Sequence, residues 1–598
     1  MTYRAPVSDI LFSLNHVAGL GQAIEQGLFG DLDSATASSV IEEAGRFATE
    51  AIAPLNRIGD LEGARYENGR VTTAPGFRET YRAWAAGGWA GVTGGAEFGG
   101  MGLPHAINAA CSELWAGASM GFALCPMLSE GAINAIARFA AEPLRALYLP
   151  KLVSGEWTGT MNLTEPQAGS DLSAVKSRAE RAGDGTYRIF GQKIFITYGE
   201  HDMADNIVHL VLARLPDAPA GTRGLSLFLV PKFLVGADGA IGPMNDVRCA
   251  SIEHKLGIHA SPTCVMIYGD SGGAQGWLIG EENRGLNAMF AMMNSARLGV
   301  GLQGVAIADR ATQQALAYAR ERRQGRSGKP GAKGANGLMS PIVEHADVQR
   351  MLLTMRALTH AARGICHLTA VAIDLGRHAK SEDERRRADE RAALLTPVAK
   401  AFSTDVGDEV ASLGVQVHGG MGYIEETGAA QHFRDSRIAA IYEGANGVQA
   451  IDLAQRKLPL AGGETVAREI ADMRLAQREI ETSGGVGFGS AGARLGEAID
   501  ALERATRFMS EIRAGPEATL AGATAYLRLF ALARGGACLA KAGLAAERLA
   551  AEGDRSELGR VALARFFAEK IATAAPGLAA AIDSGAGALQ NFDEAIGG

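Results

Sequence analysis

The hydrophobic period of this chain changes twice, and that order of changes limits its architecture more tightly than any other feature. From Ser34 to about Leu152 apolar residues recur every three or four positions, as in Val40, Ile41, Ala44, Phe47, Ala48 and Ile52, with Pro54 ending that segment. The first quarter therefore reads as mostly helical. Across roughly 156–280 the pattern becomes β-rich: Arg188-Ile189-Phe190-Gly191-Gln192-Lys193-Ile194-Phe195-Ile196 and 224–231 are runs bounded by Gly, Asp and Pro. The helical period then returns over 286–323, 342–375 and 400–458, and again after Pro459 over 466–480, 495–512, 518–549 and 558–582.

These shifts predict a mainly α fold with a small β domain. The segments are 1–33 (N-terminal segment), 34–155 (helical domain), 156–280 (β domain), 281–460 (helical bundle) and 461–598 (an additional helical domain). At about 150 residues per domain, a chain of 598 has room for about four such units. Two polar Gly-rich stretches, 325–334 and the glycines at 484, 485, 487 and 489, read as loops.

A net charge of −8 gives no electrostatic reason to expect nucleic acid or an anionic membrane surface as a partner. No apolar run of about 20 residues reads as a membrane span, and the N-terminus lacks the basic-then-apolar pattern of a secretory signal, so the expected setting is the cytoplasm. The six cysteines, Cys111, Cys125, Cys249, Cys264, Cys366 and Cys538, form no C-x-x-C pair and read as reduced core residues. The histidines contain no H-E-x-x-H pair, and His360 and His367 have no matching carboxylate cluster, so no metal site is expected.

Three apparent motifs lack the context their chemistry needs. Gly117-Ala-Ser119-Met-Gly121 sits among helical segments instead of at a strand-to-helix elbow. Gly487-Phe-Gly489-Ser-Ala-Gly492 follows a charged helical segment, not a strand. Gly328-Lys329 is followed by Pro330 where a phosphate loop has Ser or Thr.

Other stretches carry chemistry. Leu163-Thr164-Glu165-Pro166-Gln167-Ala168-Gly169-Ser170-Asp171 sets hydroxyls and small residues around a Pro-fixed turn, where backbone N–H groups can approach a flat polar ligand. In Gly191-Gln192-Lys193-Ile194-Phe195-Ile196-Thr197, alternation puts Phe195 and Thr197 on one strand face. Gln416-Val417-His418-Gly419-Gly420-Met421-Gly422-Tyr423 precedes Phe433-Arg434-Asp435. Ile441-Tyr442-Glu443-Gly444 then puts a carboxylate in an apolar sequence, expensive if buried without purpose and otherwise a surface Glu in a turn before a helix near Gly447.

In this order and spacing, L-T-E-P-x-A-G-S-D, G-x-K-x-x-I-T, Q-x-x-G-G-x-G-Y, R-D and Y-E-G resemble the acyl-CoA dehydrogenase family over roughly residues 40–460. The opening 3–12 and the helical extension beyond about 465 resemble the branch that includes 3-methylmercaptopropionyl-CoA dehydrogenases and some long-chain acyl-CoA dehydrogenases. The resemblance implies a helical domain, a β-barrel-like domain and a helical bundle, with an extra C-terminal helical domain.

It also implies FAD as cofactor and oxidation of an acyl-CoA thioester to trans-2-enoyl-CoA, with hydride passing to flavin N5. Glu443 matches the family's α-proton base, with a pKa expected to be raised toward neutrality by apolar surroundings. Its backbone N–H and a ribityl hydroxyl of FAD would polarise the thioester carbonyl, with Tyr442 against the thioester and Gly444 leaving room for it. Some branches carry the base just before the Arg in Asn294-Ser295-Ala296-Arg297. Here that residue is Ala296, which leaves Asn294 and Arg297, with Ser170, as substrate-side contacts.

Met161, Leu163, Thr164, Gly169, Ser170, Phe195 and Thr197 match flavin neighbours, Phe195 standing where the family more often has Trp. Arg322, Gln416, Gly419 and Gly420 match positions that hold the FAD pyrophosphate and adenine across a subunit interface, which implies a homodimer at least. The family's T-S-Q-type stretch after Y-E-G is Ala445-Asn446-Gly447 here, so no cofactor contact is carried to those three residues.

The implied electron acceptor is an electron-transfer flavoprotein. The expected substrate is a medium- or long-chain fatty acyl-CoA, with 3-methylmercaptopropionyl-CoA as the alternative: the apolar segment Phe122-Ala-Leu-Cys-Pro-Met127, read as a pocket floor, suits an alkyl chain and equally the thioether of a methylmercaptopropionyl group. Two other classes in the family's range are an acyl-CoA oxidase and a DNA-binding homologue. The near-balanced charge beyond 465 and the presence of Glu443 speak against the latter.

Overall fold

Strand Asn206–Arg214 is buried along its length except at Arg214 because it lies between two cores. Val208, Leu210 and Leu212 enter one, Val211 and Ala213 the other. The neighbouring strand Leu225–Pro231 divides the same way, with Leu225, Leu227 and Leu229 on one side and Phe228 and Val230 on the other. Burial on both faces is why these strands read as continuous apolar runs. They belong to an eight-stranded sheet with the order Val247–Ile252, Thr263–Tyr268, Tyr187–Thr197, Ala274–Ile279, Leu225–Pro231, Asn206–Arg214 and Trp157–Asn162, and Arg178–Arg181 pairs beside Tyr187–Thr197. Most pairs are antiparallel; Trp157–Asn162 runs parallel to Asn206–Arg214.

The computed structural model describes residues 3–328, 339–483, 485–511 and 516–597. It resolves into two units, one of residues 44–299 and one of residues 3–43 with 300 onward. The first contains the sheet. One of its cores is completed by Leu128, Ile133 and Ile136 of helix Met120–Phe139 and by Tyr148 and Leu152 of Glu142–Val153. The helical reading of the first quarter missed one element, the hairpin of Arg65–Glu67 and Arg70–Thr72. Its turn is Asn68-Gly69 with φ of 49° and 83°, the left-handed pair that a two-residue hairpin requires.

The second unit is helical. From residue 300 it takes in the remainder of Gly285–Glu321, then Ala346–His378, Glu382–His418 and the C-terminal helices Glu464–Ser483, Ala491–Glu511, Pro516–Ala551, Gly559–Lys570 and Ala575–Asp583. Ser381 and Glu384 form a capping box that fixes where Glu382–His418 begins. The long helices 285–321 and 382–418 cross almost backbone to backbone. A Cβ on Gly304 would stand 2.1 Å from the Ser403 carbonyl oxygen, one on Gly301 2.7 Å from that of Ala399, and one on Gly407 3.0 Å from the Cα of Gly304.

The N-terminal segment docks in the same unit. Asp9 accepts from Arg560 at 2.8 Å and pairs with Arg356 at 3.3 Å, while the Arg560 guanidinium lies 3.9 Å over the Phe12 ring. Burial alone would raise the Asp9 carboxyl, but His360 and the surrounding arginines hold it well below the usual range. Beyond 460, fully buried Arg534 donates to Glu469 at 2.9 Å, and Arg391 reaches the same carboxylate at 2.8 Å. That carboxylate joins three helices.

All six cysteines are buried, and none forms a disulfide. Helices Met120–Phe139 and Glu517–Ala551 are long and apolar enough to cross a membrane by length and composition, and 78% and 94% of their apolar windows are buried inside the fold. Of the Gly-rich stretches, 329–334 and Gly484 lie outside the described residues.

The glycine crossing sets an expected stability pattern. Gly304→Ala should lower the unfolding free energy by about 1–3 kcal/mol through overpacking. Gly577→Ala, where a Cβ meets nothing within 4 Å, should leave it unchanged or slightly raise it. Paired thermal-unfolding scans check both.

Candidate active site

In the unit of residues 44–299, the turn after strand Trp157–Asn162 is organised by one carboxylate. Glu165 is buried and accepts from Lys193 Nζ at 2.8 Å, from the backbone N–H of Lys176 at 2.7 Å and of Ser177 at 3.0 Å, and from Gln167 Nε2 at 2.6 Å. Lys193 Nζ, fully buried, also donates to the Leu163 carbonyl at 2.9 Å. Burial by itself would raise the Glu165 pKa, but the Lys193 charge and these hydrogen bonds outweigh it and hold it at about 2. Pinned from below, the turn leaves Gly169 and Ser170 exposed, and a Cβ at Gly169 would meet nothing within 4 Å.

Beside this turn runs the end of strand Tyr187–Thr197, joined to it by Ile194 N–H to the Thr164 carbonyl at 2.9 Å. The sequence reading placed Phe195 and Thr197 on one face by simple alternation. The strand is irregular there: its register against Thr263–Tyr268 shifts between Lys193 and Ile196, which are both buried though three apart. Phe195 takes φ of 59° and is 58% exposed.

A bare aromatic ring beside a glycine-floored turn with free space above it fits a flat aromatic ring system. Leu163, Thr164 and Thr197 are half-buried around it. Met161 is different. Its side chain is buried in the hydrophobic core, so only its backbone could face a ligand.

Helix Gly285–Glu321 carries Asn294 and Arg297. The Asn294 side chain lies outside the described residues, and Arg297 is buried. Phe122–Met127 goes into the core: Phe122 packs on Phe77 with ring centroids 6.0 Å apart, and of the six residues only Met127 is half-exposed. The expected pocket floor is therefore mostly core.

In the helical unit, the turn before helix Asn446–Asp452 holds Tyr442, Glu443 and Gly444. Glu443 is half-buried with φ of 54°, and Gly444 follows at 86°. A non-glycine residue there costs about 1–3 kcal/mol and persists only where its surroundings impose it. Three side chains impose it here.

The Tyr442 hydroxyl donates to Gln303 Oε1, and burial, then the Glu443 carboxylate, push the phenol pKa up so that it stays a donor. Asn446 accepts from Lys400 Nζ at 2.9 Å and donates to Asp405 Oδ1 at 2.6 Å and the Ala401 carbonyl at 3.2 Å. Gln449, fully buried, donates back to the Gly444 carbonyl at 3.2 Å. The Asn446 side chain is thus engaged by helix Glu382–His418.

Elsewhere in this unit, Tyr318 stacks on His418 at 4.4 Å between ring centroids, which brings the end of helix 285–321 to the end of 382–418. Arg322, Gln416, Gly419 and Gly420 are all exposed, and a Cβ on either glycine would meet nothing within 4 Å. A guanidinium and an open glycine backbone suit a pyrophosphate. The sequence reading missed Gln303, Lys400, Asn446 and Gln449. The available signal was Lys400 itself, a single charge in the apolar stretch Thr396-Pro-Val-Ala-Lys400-Ala-Phe402.

Comparison with known proteins matches four family models in sequence order: acyl-CoA dehydrogenase, N-terminal domain over residues 34–156, middle domain over 160–271 and C-terminal domain over 283–458, then "acetyl-CoA dehydrogenase C-terminal like" over 464–593. A 3-methylmercaptopropionyl-CoA dehydrogenase of Ruegeria pomeroyi is 47% identical over 574 residues, 96% of each chain. A butyryl-CoA dehydrogenase of Syntrophomonas wolfei is 33% identical, covering 79% of this chain and 78% of its own. The crystal structure of an acyl-CoA dehydrogenase of Bacillus anthracis complexed with FAD superposes with a TM-score of 0.71 at 23% identity, covering 92% of this chain and 88% of that one.

The Glu165 pocket makes a pH expectation. Its folded pKa of about 2 lies below the ordinary 4.5, so its stabilisation is complete above about pH 4.5 and is lost as pH falls toward 2. Between pH 5 and 3 the wild type should lose stability faster than Glu165→Gln, by up to about 1.4 kcal/mol per pH unit. At neutral pH the variant, with Lys193 left buried, should be less stable by about 3–5 kcal/mol, and Glu165→Gln/Lys193→Met should recover part of that. Denaturant unfolding across pH checks both.

Proposed function

The chain belongs to the acyl-CoA dehydrogenase family, and on that premise we propose that it dehydrogenates a short acyl-CoA thioester, 3-methylmercaptopropionyl-CoA first among them, with Glu443 as the α-proton base. It is an FAD enzyme, as acyl-CoA dehydrogenases are. The observation that carries the reading is the carboxylate of Glu443, held in a strained left-handed turn that three neighbouring side chains brace.

Glu443 takes the pro-leaving hydrogen from Cα of the thioester. Its backbone N–H donates to the thioester carbonyl and stabilises the negative charge that develops there. Tyr442, its hydroxyl tied to Gln303, lies against the thioester, and Gly444 leaves room for it. FAD would supply the hydride acceptor for the β-hydrogen. Phe195 would give the flavin a face to stack on, and Leu163, Thr164, Gly169, Ser170 and Thr197 would line its edge with the backbone of Met161. Arg322 and the 416–420 segment would hold the pyrophosphate and adenine of the FAD across the subunit interface. Arg297 and Ser170 would contact the substrate.

The reading favours a short substrate over the medium- or long-chain acyl group expected from sequence, for two reasons. The relative of 47% identity over 96% of both chains acts on the methylmercaptopropionyl thioester, and the Phe122–Met127 segment is packed into the core. The reading includes a cytoplasmic homodimer that passes its electrons to an electron-transfer flavoprotein.

Anaerobic mixing with 3-methylmercaptopropionyl-, butyryl-, octanoyl- and palmitoyl-CoA tests it through loss of flavin absorbance. The first two should bleach the flavin at least tenfold faster than palmitoyl-CoA, and Glu443→Gln should slow bleaching by about 10² to 10⁴. Fastest bleaching by palmitoyl-CoA would sink the substrate assignment. An unimpaired Glu443→Gln variant would sink the base.

A further inference from the structure

We propose that Asn446 is a positioning residue for the base: by bridging Lys400 and Asp405 of helix Glu382–His418, it fastens the turn that carries Glu443 in the conformation that takes the α-proton. This rests on the reading of Glu443 as the base.

The left-handed conformation of Glu443, φ 54°, is strained and, unopposed, would relax. Three residues along, the Asn446 amide stands between a buried ammonium and a half-buried carboxylate on the next helix, 2.9 Å from Lys400 Nζ and 2.6 Å from Asp405 Oδ1. Thr404 Oγ1 lies 3.0 Å from Asn446 Nδ2, and the Ala401 carbonyl closes the set at 3.2 Å.

A primary amide offers an acceptor to the cation and donors to the anion at once. For the turn to relax, Asn446 would have to withdraw, and both charged groups would lose a partner. Giving up hydrogen bonds to two charged groups at once opposes the release of strain. The turn therefore stays strained.

Tyr442 and Gln449 hold the same turn through Gln303 and the Gly444 carbonyl. Asn446 is the anchor with charge behind it. Its amide is engaged by helix Glu382–His418.

Proton abstraction can be read without flavin reduction. Methoxyacetyl-CoA has α-hydrogens and no β-hydrogen, so in D2O the holoenzyme exchanges its α-hydrogens through the base alone, and mass spectrometry reads the rate. Asn446→Ala and Lys400→Met should slow exchange tenfold or more at saturating probe, with flavin content and probe Kd at the wild-type level. Asn446→Ser, which keeps one hydroxyl at the position, should recover part of the rate.

Wild-type exchange in Asn446→Ala and Lys400→Met, with exchange abolished in Glu443→Gln, would overturn the positioning role and keep the base. Wild-type exchange in Glu443→Gln would instead overturn the base reading. If Asn446→Ala fails to fold, Asn446→Ser and Lys400→Met decide. Loss of flavin or of probe binding in parallel with the rate, in both of these, would mark Asn446 as merely structural and overturn the proposal.

Discussion

The backbone-close crossing of the long helices 285–321 and 382–418 is the constraint on which the rest of the helical unit depends. Gly301, Gly304 and Gly407 remove the side chains that would separate the helices. Gln303 is adjacent to one of these glycines, and Lys400, Thr404 and Asp405 lie just before another. The same contact therefore sets both fixed points, one on each helix, between which the 442–449 segment is stretched. Packing of small residues, rather than any feature of the turn itself, determines where the carboxylate sits.

The β-rich unit uses the opposite means to a similar end. There a buried charge pair, Glu165 with Lys193, collects the loose backbone of the 163–177 segment and leaves its upper surface bare. With Glu165 accepting the N–H groups of Lys176 and Ser177, the turn is held from inside while Gly169 and Ser170 stay exposed. Each unit places a buried charge and its partners beside the turn that carries a candidate site.

Much of this was legible in the chain. The sequence of periods identified the α–β–α order because helices and sheets bury different spacings of residues. The motif stretches identified the exposed ring at Phe195 and the turn at Glu443 because unusual residues cluster there. What stayed hidden depends on backbone torsion and on long-range contact. The hairpin at Asn68-Gly69 carried its own turn signal, submerged in helical spacing on either side. The register shift at 193–196 turns Phe195 outward, where alternation pairs it with Thr197, because a bulge leaves no mark on hydrophobic pattern. Asn446 looked like a departure from a pattern, and its partners lie more than forty residues earlier, so only the folded chain shows why an amide stands there.

The positive φ of Glu443 has an evolutionary corollary. Glycine occupies that region of backbone space without penalty, and asparagine with little. A descendant in which position 443 drifted to either residue would be relieved of that backbone strain while losing the carboxylate. On the proposed role, persistence of the carboxylate in a lineage would be a mark of selection on turnover, and a homologue that lacks it would be a candidate for a protein that kept the scaffold for another purpose.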